Sequence, residues 1–360
     1  MKILLTGASG FIGSHIVEHL LKNTDWEIIT LDRLNVSGNH NRFTDMEIWP
    51  REGHRVKPIV HDLRCAVNEV VADQIGQVNF ILHLAASTHV DRSITDPMGF
   101  VLDNMVATTN ILEFARKQGN LKAFLYFSTD EVFGPAPEGV AYKEWDRYNA
   151  GNPYAAAKAG GEEMTLAFAN TYRLPCIITH TMNVFGERQH PEKFIPMTIQ
   201  KILKGEKILI HSNKDKTKAG SRFWIHGRNV AAAILTLLEK WPNVEMKDAP
   251  LLEGHMGPHW QKPGCIPCDK FNIVGEKELD NLEMAQFIFD AICEADPETP
   301  RKFEYEMVDF HSSRPGHDLR YGLDGAKMKA MGWSLPLTFE ESLRHTIRWY
   351  LDHKNWLGIK

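Results

Sequence analysis

Two periodicities alternate along the first half of the chain. "KILLTG" is a short continuous apolar run, the pattern of a buried strand, and "FIGSHIVEHLLKN" follows with the spacing of an amphipathic helix. Apolar runs return at "WEIITLD", "RVKPIVHD", "NFILHLAAS", "AFLYFSTD" and "LPCIITHTMN". Between the last two, "NPYAAAKAGGEEMTLAFANTY" reads as a helix opened by Pro153. Strands alternating with helices predict an α/β fold around a parallel, doubly wound sheet. From about residue 185 the pattern loosens, and "GERQHPEKFIPMTIQKILKGEKILIH" reads as a loop, a helix and a short strand. Residues 251–270, rich in Gly and Pro, read as a loop.

Composition narrows the class of protein. The 360 residues suffice for one large α/β domain or two smaller ones. A net charge of −5 offers no basic field for nucleic acid and no polybasic membrane patch. No apolar run approaches the roughly 20 residues of a membrane span. "MKILLTGASG" is too short an apolar stretch for a signal peptide. Five cysteines with no export signal lead to the expectation of a reducing, cytoplasmic setting.

Candidate chemistry falls at the strand ends. Gly7, Gly10 and Gly13 occupy the first strand-to-helix turn, with Phe11 and Ile12 between them. Such a turn brings backbone close to a pyrophosphate, and the helix N-terminus offers it free N–H groups. Asp32 ends the second strand about 20 residues further on, where a carboxylate accepts ribose hydroxyls and repels a 2′-phosphate. Arg33 softens that preference, yet the strand-end carboxylate favours NAD over NADP. Asp62 after the third strand is a candidate adenine contact. Small residues after the fourth leave room for a cofactor. The order predicts a Rossmann-type NAD-binding domain over 1–184, with about 223–240 returning to it. Residues 185–360 then form a smaller α/β domain, mainly for substrate.

Two further groups carry chemistry. Tyr154 and Lys158, four residues apart on one helix, share a face, and an ammonium near a phenol favours the phenolate. Asp130 and Glu131 are adjacent at the end of the fifth strand, where ligands gather in such sheets. Adjacent residues of an extended strand face opposite ways, so the chain must bend there for both acids to reach one substrate.

The motifs TGASGFIG and Tyr154-x-x-x-Lys158 resemble the extended short-chain dehydrogenase/reductases that act on nucleotide sugars, and "STDEVFG" resembles the dTDP-glucose 4,6-dehydratase signature among them. The similarity runs on through "LDRLNVSGN", "HLAASTHVDRSI", "NVFG", "SRFWIH", "RPGHDLRYGLD" and "TFEESLRHTIRWYL". It implies an NAD-dependent enzyme that oxidises C4 of dTDP-glucose, eliminates water across C5 and C6, and returns hydride to C6. Tyr154 would take the O4 proton, Lys158 keep Tyr154 basic, and Thr129 hydrogen-bond the C4 oxygen. Glu131 would remove the C5 proton, and Asp130 protonate the departing C6 hydroxyl. The resemblance adds Asn35, Ser37, Gly38, Leu63, Leu84, Ala85, Ala86 and Val184 to the cofactor site. For the nucleotide sugar it implies Thr88, Asn183, Lys193, Phe194, Leu209, His211, Arg222, Asn272, Arg314 and His317. A homodimer through a four-helix bundle, built from helices near 98–118 and 153–172, is also implied. UDP-glucose as substrate, or 4-epimerase chemistry, are the alternatives; Asp130-Glu131 argues against the second.

Some positions depart from the family. Val184 stands for a second Asn, Phe223 for an Asp, and Asp103 for a Thr that faces the cofactor. His255, His259, Cys265 and Cys268 have the residue types of a structural zinc site. The dehydration needs no metal, and no metal site is assigned.

Overall fold

The apolar runs become β1 (Lys2–Thr6), β2 (Glu27–Asp32), β3 (Val56–Val60), β4 (Phe80–His83), β5 (Ala123–Thr129) and β6 (Cys176–Thr181). This computed structural model describes residues 1–35, 37–241, 268–297, 301–309 and 320–359. Further along come β7 (Asn183–Phe185), β8 (Ile208–Ser212), β9 (Ser221–His226), β10 (Cys268–Ile273), β11 (Lys277–Asp280) and β12 (Tyr305–Asp309). Seven strands form one sheet in the order β10-β6-β5-β4-β1-β2-β3. Every pairing in it is parallel. All residues of β5 and β6 are buried, as expected of parallel strands covered on both faces.

Helices cover that sheet on two sides. On one face, Ile16, Val17 and Leu20 of helix Phe11–Asn23 join Val230, Ile234 and Leu237 of helix Gly227–Lys240 in one core. On the other, Ile111 and Leu112 of helix Ala107–Ala115 join Phe168 and Ala169 of helix Pro153–Tyr172. A third core gathers helices Phe194–Lys204, Asn281–Ala295 and Phe339–Asp352 around Ile199, Ile288 and Ile347. Capping boxes at Asp280 and Thr338 fix the starts of the last two helices. Beside this core lie the sheet β11-β9-β7 and the pair β12-β8. The strand order reverses beside β1, which places a crevice at the carboxyl ends of the strands.

Two expectations need correction. The loop expected over 251–270 does not hold for its last three residues, because Cys268–Lys270 open β10, with Cys268 paired to Cys176 and buried. The Gly/Pro signal upstream masked a strand whose charged members, Asp269 and Lys270, are buried with partners. His255, His259 and Cys265 lie outside the described residues. The helix expected near 98–118 is three segments: Pro97–Val101, a π-helical turn Leu102–Val106, and Ala107–Ala115. In the wider turn, Asn104 is tied to both the N–H and the C=O of Ser87 after β4. Among the described residues no helix is long and apolar enough to cross a membrane.

Candidate active site

The crevice holds a cavity of about 640 Å³. Its first wall is the turn after β1. Gly7 has φ +72°, and a Cβ there would lie 2.7 Å from the Ala85 nitrogen, so the turn and the loop after β4 pack as only glycine allows. Gly10 opens helix Phe11–Asn23 without a side-chain cap, which leaves first-turn N–H groups for an anion. Asp32 is buried, and its Oδ1 accepts from the Ser9 N–H at 3.1 Å. Its Oδ2 has no partner among the described residues, and burial pushes the carboxyl up to about 6. A buried carboxylate oxygen with no donor is costly alone and is satisfied by a hydroxyl. The glycine cradle, the open helix end and this acceptor together fit the phosphates and ribose of NAD.

The acids lie at the other end of the cleft. β5 stops at Thr129, and Asp130–Phe133 turn at once into a 3₁₀ helix. This is the bend that the adjacent acids require, and both line the cavity. Gly134 ends the turn at φ +75°. Thr129 Oγ1 donates to Asp130 Oδ1 at 3.0 Å. Asp130 Oδ2 is buried with no partner among the described residues. Burial, reinforced by the charge of Glu131, pushes Asp130 up to about 7. Glu131 is held differently, accepting from Asn152 Nδ2 at 3.0 Å. Asn152 also caps the next helix, its Oδ1 accepting from Ala155 N–H at 2.9 Å.

Tyr154 and Lys158 share the face that their spacing predicts, yet the ammonium is used elsewhere. Lys158 Nζ donates to the Phe127 carbonyl at 2.6 Å and lies 4.1 Å from the centre of the Tyr126 ring. Burial pulls Lys158 down to about 7. Burial, Glu131 and Asp130 hold Tyr154 protonated, against a Thr129 hydrogen bond that works the other way. The expected Lys-driven lowering of the phenol is therefore not what this geometry gives. Neighbouring acids and a dry site dominate instead.

The expected residues largely converge. Gly7, Gly10, Phe11, Ile12, Gly13, Arg33, Asn35, Ser37, Gly38, Asp62, Leu63, Leu84, Ala85, Ala86 and Val184 line the same cavity as the acids. So do Thr88, Asn183, Lys193, Phe194, Leu209, His211 and Arg222. Asn272 does not. It is fully buried in β10, where its Nδ2 donates to the Tyr142 and Asp324 carbonyls, each at 3.0 Å, and Oδ1 pairs with His180. Its amide joins strands and loops and has none left for a ligand. Arg314 and His317 lie outside the described residues. The structure adds Arg64, Asp103, Gln189, Asn281 and Tyr321 to the lining. The Tyr321 ring lies 4.7 Å from the Arg222 guanidinium, a stacking partner that no local motif announced.

Comparison with known proteins gives the chain its family. The chain is 33% identical over 378 aligned residues to the dTDP-glucose 4,6-dehydratase of Escherichia coli, covering 99% of this chain and 95% of that protein. It is 34% identical to the low-salt glycan biosynthesis protein Agl12 of Haloferax volcanii, covering 98% of this chain and 99% of that one. The crystal structure of DesIV, a dTDP-glucose 4,6-dehydratase of Streptomyces venezuelae with NAD bound, superposes with a TM-score of 0.79 at 30% identity, covering 99% of this chain and 98% of that one. Residues 3–248 match the model of the NAD dependent epimerase/dehydratase family, and the chain belongs to that family.

Proposed function

We propose that the protein is a dTDP-glucose 4,6-dehydratase, an NAD-dependent hydro-lyase that forms dTDP-4-keto-6-deoxyglucose and water. One observation carries this reading: the turn at Asp130–Phe133 brings two adjacent acids into one cleft, and burial keeps Asp130 protonated to about 7. Elimination of water needs one carboxyl to give a proton and one to take a proton, and these acids have separate environments. The dTDP-glucose dehydratase relatives, aligned over nearly the whole chain, support the thymidine sugar over the uridine one.

Bound NAD would supply a hydride acceptor for C4 and a hydride donor for C6, and its nicotinamide charge would oppose the acids that otherwise hold Tyr154 protonated. Gly7, Gly10, Gly13 and Asp32 hold that cofactor. Tyr154 accepts the proton of the C4 hydroxyl, and Thr129 hydrogen-bonds the C4 oxygen. The resulting ketone makes the C5 proton acidic. Glu131 removes that proton while Asp130 protonates the C6 hydroxyl, so the C6–O bond breaks and water leaves; Glu131 gives its proton back to C5 when C6 takes the hydride. Arg222 and Lys193, in the cavity wall, face the diphosphate. Residues 1–184 form the cofactor domain and 185–360 mainly the sugar-nucleotide domain. The protein works in the cytoplasm as a homodimer through a four-helix bundle. Exposed Met98 and Leu102 on one expected bundle element and Tyr172 on the other support the pairing.

The test supplies dTDP-glucose and UDP-glucose separately, each deuterated at C4, and weighs the products. Loss of one water with deuterium kept at C6, faster from dTDP-glucose, is the expected result. Unchanged mass with inverted C4 would make the enzyme an epimerase and overturn the dehydration.

A further inference from the structure

The adenosine end of the cleft holds an ion-pair arrangement that the reaction does not use. Arg33 follows Asp32 directly, and an Arg at that place in this fold is the group that accommodates a 2′-phosphate. Here its guanidinium is taken. Nη1 and Nη2 of Arg33 donate to the two carboxylate oxygens of Asp103, each at 2.7 Å. Asp103 sits on the π-helical turn, 70 residues away in sequence, and its Oδ2 also accepts from Ser87 Oγ at 2.6 Å. The second cation is taken too: Arg64 Nε donates to Asp62 Oδ2 at 2.8 Å. Arg33 and Arg64 thus pair with Asp103 and Asp62, Asp32 meets neither, and all five line the cavity. Asp32 stays outside these ion pairs, and its Oδ2 is buried without a partner among the described residues. The Arg33 and Asp103 side chains are only 28% and 13% exposed, so solvent screens their pair weakly.

We infer that Asp103 is a positioning residue for cofactor choice: it locks Arg33 in a two-point ion pair and so withholds from the adenosine ribose the cation next to Asp32. The choice of NAD then rests on two acids, Asp32 to accept hydroxyls and Asp103 to disarm Arg33. This inference rests on the dinucleotide site alone and stands apart from the sugar chemistry.

The test uses the full chain stripped of carried-over nucleotide, titrated with NAD and with NADP while protein fluorescence is read. Asp103→Asn removes the charge and keeps the shape. It should tighten NADP by about tenfold or more, the scale of one charge-assisted hydrogen bond to phosphate, with NAD changed by less than about threefold. Ser87→Ala, which only loosens Asp103, should narrow the NAD-to-NADP ratio in the same direction by less. In an Arg33→Ala background, Asp103→Asn should leave the ratio nearly unmoved. A tie that is merely structural would weaken both dinucleotides together, and that result overturns the inference. An equal narrowing with Arg33 absent would also overturn it, because Asp103 would then act by direct repulsion. Failure of the unaltered chain to bind either dinucleotide would overturn the cofactor site itself, a separate failure read in the same titration.

Discussion

Asp130 and Glu162 are both buried carboxylates beside the end of β5, and their pKa values are shifted in opposite directions. Asp130 faces the cleft with one oxygen bonded to Thr129 and the other without a partner among the described residues. Burial and the neighbouring Glu131 push it up to about 7. Glu162 lies behind the strand, inside helix Pro153–Tyr172. It accepts from the hydroxyls of Ser128 and Tyr148, from His180 Nε2 at 3.1 Å, and from Lys270 Nζ at 3.5 Å. Burial pushes Glu162 up as well, but His180, Lys270 and Ser128 outweigh it and hold the carboxyl down at about 2. Burial alone therefore does not decide a carboxyl's state; the number of donors and cations around it does. A saturated acid joins elements together, and an unsaturated one is left for chemistry.

The comparison breaks first at Glu131, the base beside Asp130. Glu131→Gln should lower turnover of dTDP-glucose by about 10²–10⁴-fold, the usual worth of a positioned general base, while the melting curve stays in place. Retained turnover would remove the acid pair from the mechanism. On the other side, Glu162→Ala should lower stability by about 3–5 kcal/mol in urea unfolding, because Lys270 loses its counter-charge and His180 its hydrogen-bond partner in a dry site. Turnover per folded molecule should fall far less than in Glu131→Gln. If Glu162→Ala instead abolished turnover and left stability untouched, the division between the two acids would be wrong.

The state of Asp130 makes a third, smaller difference. Its native pKa lies above its ordinary value of 3.8, so the native state binds the proton better than the unfolded chain. The contribution of Asp130 to stability is then full below pH about 4 and is lost as pH rises through about 7. Asp130→Asn removes that loss. It should stabilise the protein by about 1–3 kcal/mol at pH 8 and change little at pH 4, seen as a flatter dependence of unfolding free energy on pH. Parallel profiles for the two proteins would mean that Asp130 is ionised in the native state and is no proton donor. In the unaltered enzyme the same titration should make kcat/KM fall above pH about 7, as the acid loses its proton.

The division between these acids also marks what the sequence could tell. The glycine turn, the strand that ends in Asp32 and the pairing of Tyr154 with Lys158 on one face are local patterns, and they were legible. The need for a bend at Asp130 was legible from the period of a strand, and Asp130–Phe133 supply it. What could not be read was where side chains found distant partners. Lys158 donates to Phe127, Arg33 to Asp103, and Asn272 to Tyr142 and Asp324, each across dozens of residues. Resemblance implied a substrate contact for Asn272, but in this fold two backbone carbonyls take its amide. The start of β10 was hidden for a related reason: Asp269 and Lys270 are charges that only tertiary partners make tolerable in a core.

Asn152 joins the two kinds of position, and it gives the finest test. Its Oδ1 caps helix Pro153–Tyr172, a structural task, while its Nδ2 donates to Glu131, a chemical one. Ser is as good an N-cap as Asn but carries no amide, so Asn152→Ser separates the tasks. Stability should stay within about 0.5 kcal/mol, because the cap is kept. Turnover should fall by about three- to tenfold, because a single hydrogen bond to a charged group no longer orients the base. Asn152→Ala should show the same loss of turnover with a further loss of about 1 kcal/mol from the missing cap. If Ser restored full turnover as well as stability, Glu131 would be oriented by its own turn, and the amide of Asn152 would belong with Glu162 among the groups that only hold the fold.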